Sequence, residues 1–313
     1  MAKRTISDLN LLLAVDKPQG CTSHDVVARA RRAVSERRIG HAGTLDPLAS
    51  GVMVLGLGQG TRLLGRITQD TKSYIADVTF GFETNTDDAE GEPTRTVEPA
   101  AELFDSAAAA RALASTVGPQ MQVPPAFSAI SVGGVRSYKR ARAGDAVELP
   151  ARPIEVRAAT LISVSEVDGA PVWTVAYTVS KGTYIRALAR DLGRMLGAAA
   201  HVSSLRRTAS GSVTLASCVS LDDLSPETAR AKMLDPVEVL GVPAIAVEGR
   251  HLDDIACGRK LPGALMAMAD RAVGEGDTVA LVNGGALRAL GRVEAGRIAM
   301  SDVFPQPICG VRP

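Results

Sequence analysis

A β-hairpin followed directly by an amphipathic helix is the feature that most constrains the fold of this chain. Residues 154–167 and 172–179 resemble two strands, and Asp168-Gly169 between them is a strong turn signal. In the segment that follows, apolar side chains recur on one face at helical spacing, namely Ile185, Leu188, Leu192 and Met195. The sequence therefore predicts paired antiparallel strands together with a helix that buries one face.

Strand-like and helix-like segments also follow one another through the rest of the first 240 residues. A helix is expected from Thr22 or Ser23 to about Val34, because Asp25 stands at capping-box distance from Thr22. The remaining predicted elements are a helix over 107–117 capped by Ser106, a helix starting at Ser225-Pro226-Glu227, strands at 11–15, 52–57, 74–82 and 202–215, and a loop at 83–92.

The length of 313 residues allows one large domain and a smaller one. Near Gly241-Val242-Pro243 the sequence changes to short strands separated by glycines, with one helical candidate at about 248–257. We expect residues 1–240 to form a mixed α/β body and residues 241–313 to form a small β-rich module.

Several classes of protein are disfavoured by what the sequence lacks. No segment approaches the roughly 20 uninterrupted apolar residues that cross a bilayer, and the first ten residues lack the apolar core of a secretory signal. The four cysteines lie far apart without a CxxC pair, and the four histidines are equally scattered. We expect a cytoplasmic protein with no membrane partner, no zinc site and no disulfide framework.

The net charge of +1 conceals a segregation of sign along the chain. Five arginines lie between residues 29 and 38, six basic residues lie between 181 and 207, a third cluster contains Arg136, Lys139, Arg140 and Arg142, and acidic residues gather at 83–92. On the predicted helix, Arg186, Arg190 and Arg194 recur every four residues and form a stripe that can follow a phosphate backbone. The clusters favour a phosphate-rich partner, although each cluster taken alone is equally compatible with a solvated face.

A glycine-rich loop at residues 40–51 surrounds one histidine, His41, and one aspartate, Asp46. Glycine permits backbone conformations that other residues avoid, and Pro47 biases Asp46 away from helix, so the carboxylate would be held at a fixed angle. Asp46 is therefore a candidate catalytic carboxylate. The alternative left open by the local sequence is an ordinary turn started by Asp-Pro.

The same loop resembles the signature of the pseudouridine synthases of the TruB kind, and four further motifs of that family occur in the family's order. They are Lys17-Pro18-Gln19-Gly20-Cys21-Thr22-Ser23, Lys72-Ser73-Tyr74, Ser180-Lys181-Gly182-Thr183-Tyr184-Ile185-Arg186 and His201-Val202-Ser203-Ser204-Leu205-Arg206-Arg207. The ordered set ties residues 17–207 to this family. It implies an α+β fold, with a mixed, mainly antiparallel sheet flanked by helices and a small β-rich C-terminal domain of the RNA-binding PUA type.

The resemblance also implies an activity and a site. The expected reaction turns the uridine at position 55 in the T loop of tRNA into pseudouridine, by flipping the base, breaking its N-glycosidic bond and joining C5 to C1′. The implied catalytic residues are Asp46, Tyr74 and Arg186, with Arg186 paired to Asp46. The implied substrate-binding residues are His41, Tyr184, Leu205, Lys17, Arg190 and Arg194.

The expected partner is the T stem-loop of free tRNA, bound by a monomer without guide RNA, cofactor or metal. Three alternatives stay open at this point: a relative that works inside guide-RNA particles, an RNA chaperone that opens and recloses the tRNA elbow, and a nucleoside hydrolase that uses Asp46. The absence of a long basic tail disfavours the first, and the absence of an aspartate-rich metal cluster disfavours the third.

Overall fold

A computed structural model gives the fold of residues 7–67, 71–128, 130–132, 135–137 and 149–312. Its α-helices are α1 (Ser23–Val34), α2 (Leu64–Ile67), α3 (Ser106–Ser115), α4 (Ile185–Met195), α5 (Pro226–Ala231), α6 (Pro236–Leu240) and α7 (Arg250–Ala256). No helix in these ranges is long and apolar enough to span a membrane.

The strands, in chain order, are β1 (Leu11–Lys17), β2 (Ile39–Ala42), β3 (Ala49–Leu57), β4 (Lys72–Phe80), β5 (Phe82–Thr84), β6 (Pro93–Thr96), β7 (Gly118–Gln122), β8 (Ser131–Val132), β9 (Val135–Arg136), β10 (Arg152–Val167), β11 (Ala170–Val179), β12 (Ala200–Ser210), β13 (Val213–Thr214), β14 (Cys218–Ser220), β15 (Ala244–Ala246), β16 (Leu261–Pro262), β17 (Thr278–Asn283), β18 (Ala286–Glu294) and β19 (Arg297–Cys309).

The larger sheet contains ten of these strands, in the order β14-β1-β3-β12-β4-β11-β10-β7, with β2 also paired to β3 and β13 to β12. Neighbouring strands run antiparallel except for β1 with β14 and β3 with β12. Because β12 lies between β3 and β4, it joins the strand that follows the Asp46 loop to the strand that carries Tyr74. The sheet thus brings sequence-distant motifs to one place.

A second sheet of five strands, in the order β15-β17-β18-β19-β16, forms the β-rich C-terminal region. Its apolar side chains share a core with the larger sheet: Leu12 and Val54 belong to the same hydrophobic cluster as Leu287, Phe304 and Ile308. The mixed α+β class with a β-rich C-terminal region is confirmed. The domain boundary near residue 240 stays a prediction, and this shared core shows that the two sheets are packed together.

The hairpin, the amphipathic helix and the first capping box are all present. Asp168 and Gly169 have φ angles of 51° and 80°, the left-handed conformations that a two-residue hairpin turn requires. Thr22 and Asp25 form the reciprocal capping box at the start of α1. Helix α4 buries Ile185 and most of its predicted apolar face, whereas Met195 at its end is half exposed.

Several predicted boundaries differ from the observed ones, and the predicted strand over 202–215 is divided into β12 and β13. Helix α3 is capped by Asp105, whose side chain accepts from the Ala108 amide, so Ser106 is the first helical residue and not the cap. The predicted strand over 74–82 ends at Phe80, because Gly81 has a φ of 117° and breaks the strand before β5. The predicted acidic loop therefore begins with strand β5.

Candidate functional site

The loop that carries Asp46 connects β2 to β3 and is fixed on both sides. Ser23 Oγ, at the start of α1, donates to the carbonyl of Leu45 and accepts from the amide of Leu45, both at 2.9 Å. The amide of Gly20 donates to the carbonyl of Pro47 at 2.9 Å. Because the residues before and after it are bonded to neighbouring elements, Asp46 has a defined backbone position.

Lys17, expected among the substrate-binding residues, lies instead inside the protein behind this loop. Its Nζ donates to the carbonyls of Ala49 at 2.6 Å, Pro18 at 3.0 Å and Pro47 at 3.4 Å. The side chain is fully buried, and this burial is the main reason why the pKa of the ammonium is lowered. The Lys17 ammonium therefore supports the backbone of the loop, and its role in substrate binding stays a prediction.

Arg186, on the first turn of α4, is the counter-ion of Asp46. Its Nε lies 2.9 Å from Asp46 Oδ2, and its Nη1 lies 3.3 Å from Asp88 Oδ2. The guanidinium also donates to the carbonyls of Thr86 at 2.7 Å and Phe127 at 3.1 Å. Nε makes no aligned hydrogen bond within the described residues, so its contact with Asp46 is electrostatic rather than directional.

Exposure differs sharply between the two partners of this pair. The Arg186 side chain is 4% exposed, whereas that of Asp46 is 35% exposed. The carboxylate is therefore accessible while its counter-ion is enclosed by protein. Such an arrangement leaves the Asp46 oxygens free to act on a bound molecule.

Asp46 and Arg186 line a cavity of about 310 Å³, a size in the range of small-ligand sites. Tyr74 from β4, Leu205 from β12 and Tyr184 line the same cavity. Five of the nine residues expected to form the site are therefore brought together. The mixture of apolar walls, two phenol groups and one ion pair suits a flat polar ring with an attached sugar.

Hydrogen bonds between the backbone of Tyr184 and the Gln122 side chain hold Tyr184 in the cavity wall. Gln122, at the end of β7, donates to the Tyr184 carbonyl at 3.1 Å and accepts from the Tyr184 amide at 2.9 Å. Burial is the main cause that raises the pKa of the Tyr184 phenol. The ring is therefore a neutral, preorganised surface against which a base can pack.

Among the residues that line or support the site but were not singled out from the sequence are Arg207 and Asp88. Arg207 lines the cavity, and its guanidinium donates to the carbonyls of Val52 at 2.6 Å and Gly43 at 3.1 Å. Asp88 is the second carboxylate at Arg186. Arg207 ends one of the recognised motifs, and Asp88 belongs to the acidic cluster at 83–92, so both stood in segments that already carried a signal.

His41 lies on β2 outside the residues that line the cavity. Its ring centroid is 6.0 Å from that of His24, and burial is the main reason why its pKa is lowered. In the described part of the chain its Nδ1 has no hydrogen-bond partner. Across the same residues, no group of three or more His, Cys, Asp or Glu side chains is placed to hold a metal ion.

The arginine stripe on α4 is present, but it is not an open basic surface. Arg190 is 8% exposed and its Nη1 lies 2.8 Å from Asp87 Oδ2. Arg194 Nη2 lies 2.6 Å from Glu83 Oε2, although the Arg194 side chain itself is 56% exposed. The stripe is paired with the acidic cluster at 83–92, so the two segregated charge runs neutralise each other in space.

Of the other two basic clusters, only the one at residues 29–38 has side chains that the structure describes. Arg37 and Arg38, at the exit of α1, are exposed and border a groove of about 600 Å³ together with Arg230. No carboxylate lies within ion-pair distance of these three guanidinium groups among the described residues. The cluster at 136–142 falls outside the described side chains.

Comparison with known proteins places this site in a family. Residues 31–185 match the model of the TruB family pseudouridylate synthase N-terminal domain, and residues 186–240 match the tRNA pseudouridylate synthase B C-terminal domain. A protein of Nocardia farcinica named tRNA pseudouridine synthase B is 44% identical over 284 residues, which cover 89% of this chain and 91% of that protein. The protein of the same name from Paenarthrobacter aurescens is 44% identical over 96% of this chain and 94% of its own.

Solved structures agree on the fold. A Cbf5-Nop10-Gar1 complex contains a chain with a TM-score of 0.66 and 25% identity, matched over 94% of this chain and 84% of that chain. An H/ACA ribonucleoprotein bound to a substrate RNA that contains 2′-deoxyuridine contains another, with a TM-score of 0.63 and 21% identity. The fold, the family models and the named relatives together define an enzyme of the pseudouridine synthase class. The chain belongs to the TruB family of pseudouridine synthases.

Proposed function

We propose that this protein isomerises the uridine at position 55 in the T loop of tRNA to pseudouridine, with Asp46 as the catalytic carboxylate. The observation that carries the proposal is the accessible Asp46 carboxylate, paired with buried Arg186 in a cavity of small-ligand size. The relatives named tRNA pseudouridine synthase B, similar along most of this chain, support tRNA as the substrate.

The reaction needs a base outside its stack, because a stacked and paired uridine hides both N1 and C5. In the proposed complex the flipped uracil lies between Tyr184 and Leu205, with Tyr74 beside it and His41 holding the disrupted loop. The Asp46 carboxylate starts the rupture of the N1–C1′ bond while Arg186 holds it in place. The detached uracil turns within the cavity, C5 bonds to C1′, and the C5 proton leaves, so the reaction has no net redox change.

The phosphates of the RNA need open cations, and exposed arginines at the exit of α1 can supply them. Arg37, Arg38 and Arg230 border one groove, which Asp8 and Glu36 also line, and among the described residues no carboxylate lies within ion-pair distance of the three guanidinium groups. Phosphate contacts of this kind supply affinity, while the shape of the T loop supplies the choice of substrate. Arg194, which is half exposed, can join this surface by sharing its charge between Glu83 and a phosphate.

We further propose that the protein acts as a cytoplasmic monomer on free tRNA, without guide RNA. A rival function, as the catalytic part of a guide-RNA particle, is favoured by the likeness to the Cbf5 chain. The higher identity to tRNA pseudouridine synthase B proteins favours action on free tRNA. Residues 241–313 would then serve as a PUA-like RNA-binding module beside the catalytic body formed by residues 1–240.

The test is an unmodified tRNA transcript incubated with the purified protein alone, followed by mapping of pseudouridine at single-nucleotide resolution. The matched control is a transcript with cytidine at position 55. We expect modification at position 55 of the first transcript and none in the second. Modification only after a guide RNA is added would favour the rival function, and modification outside the T loop would refute the proposed site.

A further inference from the structure

Two adjacent aspartates face two arginines that lie one helical turn apart. Asp88 pairs with Arg186 at 3.3 Å, and Asp87 pairs with Arg190 at 2.8 Å. All four residues are buried, with residue exposures between 3% and 8%. The four charges therefore interact strongly and have little access to solvent ions.

The backbone leaves these aspartates little freedom to move apart. Asp87 has a left-handed φ of 60°, its carbonyl accepts from the Val202 amide at 3.2 Å, and the Ala89 amide donates to the Val202 carbonyl at 2.9 Å. Strand β12 thus holds both sides of Asp88. The Asp87 and Asp88 carboxylates must each find a cation within this fixed geometry.

After Arg190, Arg186 is the positive charge that lowers the pKa of Asp87 most. If Arg190 lost its charge, the Asp87 carboxylate would have Arg186 as its nearest favourable partner on α4. Arg186 would then be drawn away from Asp46, to which its Nε is attached by proximity and not by an aligned hydrogen bond. A movement of Arg186 toward Asp87 would lengthen this 2.9 Å contact with Asp46, which no aligned hydrogen bond holds in place.

We propose that Arg190 is a positioning residue: by engaging Asp87 it keeps Arg186 available to Asp46. This inference rests on the proposed role of Asp46. If Arg190 were purely structural, its loss would impair the enzyme directly. The inference instead attributes the loss of activity to the Asp87 carboxylate, which then competes with Asp46 for Arg186. Removal of that carboxylate should then repair the enzyme.

An arginine that pairs with the same acidic cluster from outside α4 supplies a matched control. Arg95 of β6 donates to Glu83 and to the carbonyl of Ala198, both at 2.8 Å, and Arg194 also binds Glu83, at 2.6–3.1 Å. The cations that act most on Asp87 are Arg190, Arg186 and Arg194. Loss of Arg95 therefore leaves Glu83 with a remaining cation and leaves the partners of Asp87 in place.

The experiment compares Arg190→Met, Asp87→Asn, the double variant and Arg95→Met. The single-turnover rate of pseudouridine formation is measured with saturating tRNA transcript at about pH 8.5, beside the Kd for tRNA. We expect Arg190→Met to lower the rate about tenfold or more, as for strongly coupled neighbours, with a Kd within about twofold of wild type. The double variant should recover to within about threefold of wild type, and Arg95→Met should keep the wild-type rate.

The defect should also depend on pH, because Asp87 competes only when ionised. Burial raises the pKa of Asp87 to about 6 with Arg190 present, and loss of that cation raises it further. The charged groups that face Asp87 are Arg186, Arg190, Asp191 and Arg194 of α4, with His201 of β12 close to neighbouring Asp88. We expect the Arg190→Met defect to grow from about pH 6 to about pH 8.5, and the double variant to lack this trend.

A double variant as slow as Arg190→Met, or an equal loss in Arg95→Met, would overturn the inference. Should Arg190→Met fail to fold, Arg190→Gln takes its place, since it keeps a donor to Asp87 without the charge. An inactive wild type would instead refute the proposed function, so the two failures are distinguishable.

Discussion

Replacement of Lys17 by methionine tests whether the Asp46 loop is supported from within the protein. Methionine preserves the length and most of the volume of the side chain but removes the three donor hydrogens. The carbonyls of Ala49, Pro18 and Pro47 would lose the donor that satisfies them at 2.6, 3.0 and 3.4 Å. The carbonyls of Pro47 and Ala49 follow Asp46 closely, where the loop enters β3. Losing their donor should make the position of Asp46 less defined.

The expected cost follows from the number and quality of these bonds. Each of the two shorter bonds from a charged donor contributes about 1.5–3 kcal/mol, and the third is too long to add much. Part of this gain is offset in the wild type by the cost of burying the ammonium. We therefore expect Lys17→Met to lower the free energy of unfolding by about 2–4 kcal/mol, which is a fall in Tm of roughly 4–8 °C.

Urea unfolding and tRNA binding, measured side by side, decide the question. Lys232→Met is the control, because Lys232 is exposed and its loss should change stability by less than about 0.5 kcal/mol. We expect the folded Lys17→Met protein to bind tRNA with nearly the wild-type Kd. Unchanged stability with clearly weaker binding would refute this reasoning and support Lys17 as a substrate-binding residue.

Three further predictions follow from the packing. Gly51→Ala should destabilise more than Gly169→Ala in urea unfolding. Both positions have positive φ, but the new Cβ at Gly51 would lie 2.1 Å from the Arg207 carbonyl oxygen while that at Gly169 meets nothing within 4 Å. The pKa of Asp87, about 6 in the folded state, lies above its unfolded value of about 3.9. Between these two pH values the folded state binds more protons than the unfolded state, so the free energy of unfolding falls as pH rises. Asp87→Asn should flatten that slope. Deletion of residues 241–312 should yield an unfolded or aggregated protein by circular dichroism and gel filtration, because it opens the shared apolar core.

The elements predicted best were those specified by local sequence. The turn at Asp168-Gly169 and the capping box at Thr22 and Asp25 are each decided by a few neighbouring residues, and both are present. Spacing also placed Ile185 on the buried face of α4. Such features depend on backbone propensity and periodicity, which a single sequence contains.

The meaning of the charge runs could not be predicted in the same way. Asp87 and Arg190 are 103 positions apart, and Glu83 and Arg194 are 111 apart. Composition indicates the sign of each charge cluster. Whether two clusters pair with each other or with a binding partner depends on the tertiary fold, which places β5 and the segment after it beside α4. The buried position of Lys17 has the same origin, since its motif does not reveal which side of the loop its ammonium approaches.

The most direct test of the central claim follows tritium release from a tRNA transcript labelled at C5 of uridine. Wild type is compared with Asp46→Asn, which keeps the shape of the side chain without its charge. We expect wild type to release about one equivalent of tritium per modified uridine, because C5 must lose its hydrogen when it bonds to C1′, and we expect Asp46→Asn to bind the tRNA but release none. Undiminished release by Asp46→Asn, or no release by well-folded wild type, would contradict the assignment of Asp46 as the catalytic carboxylate of a pseudouridine synthase.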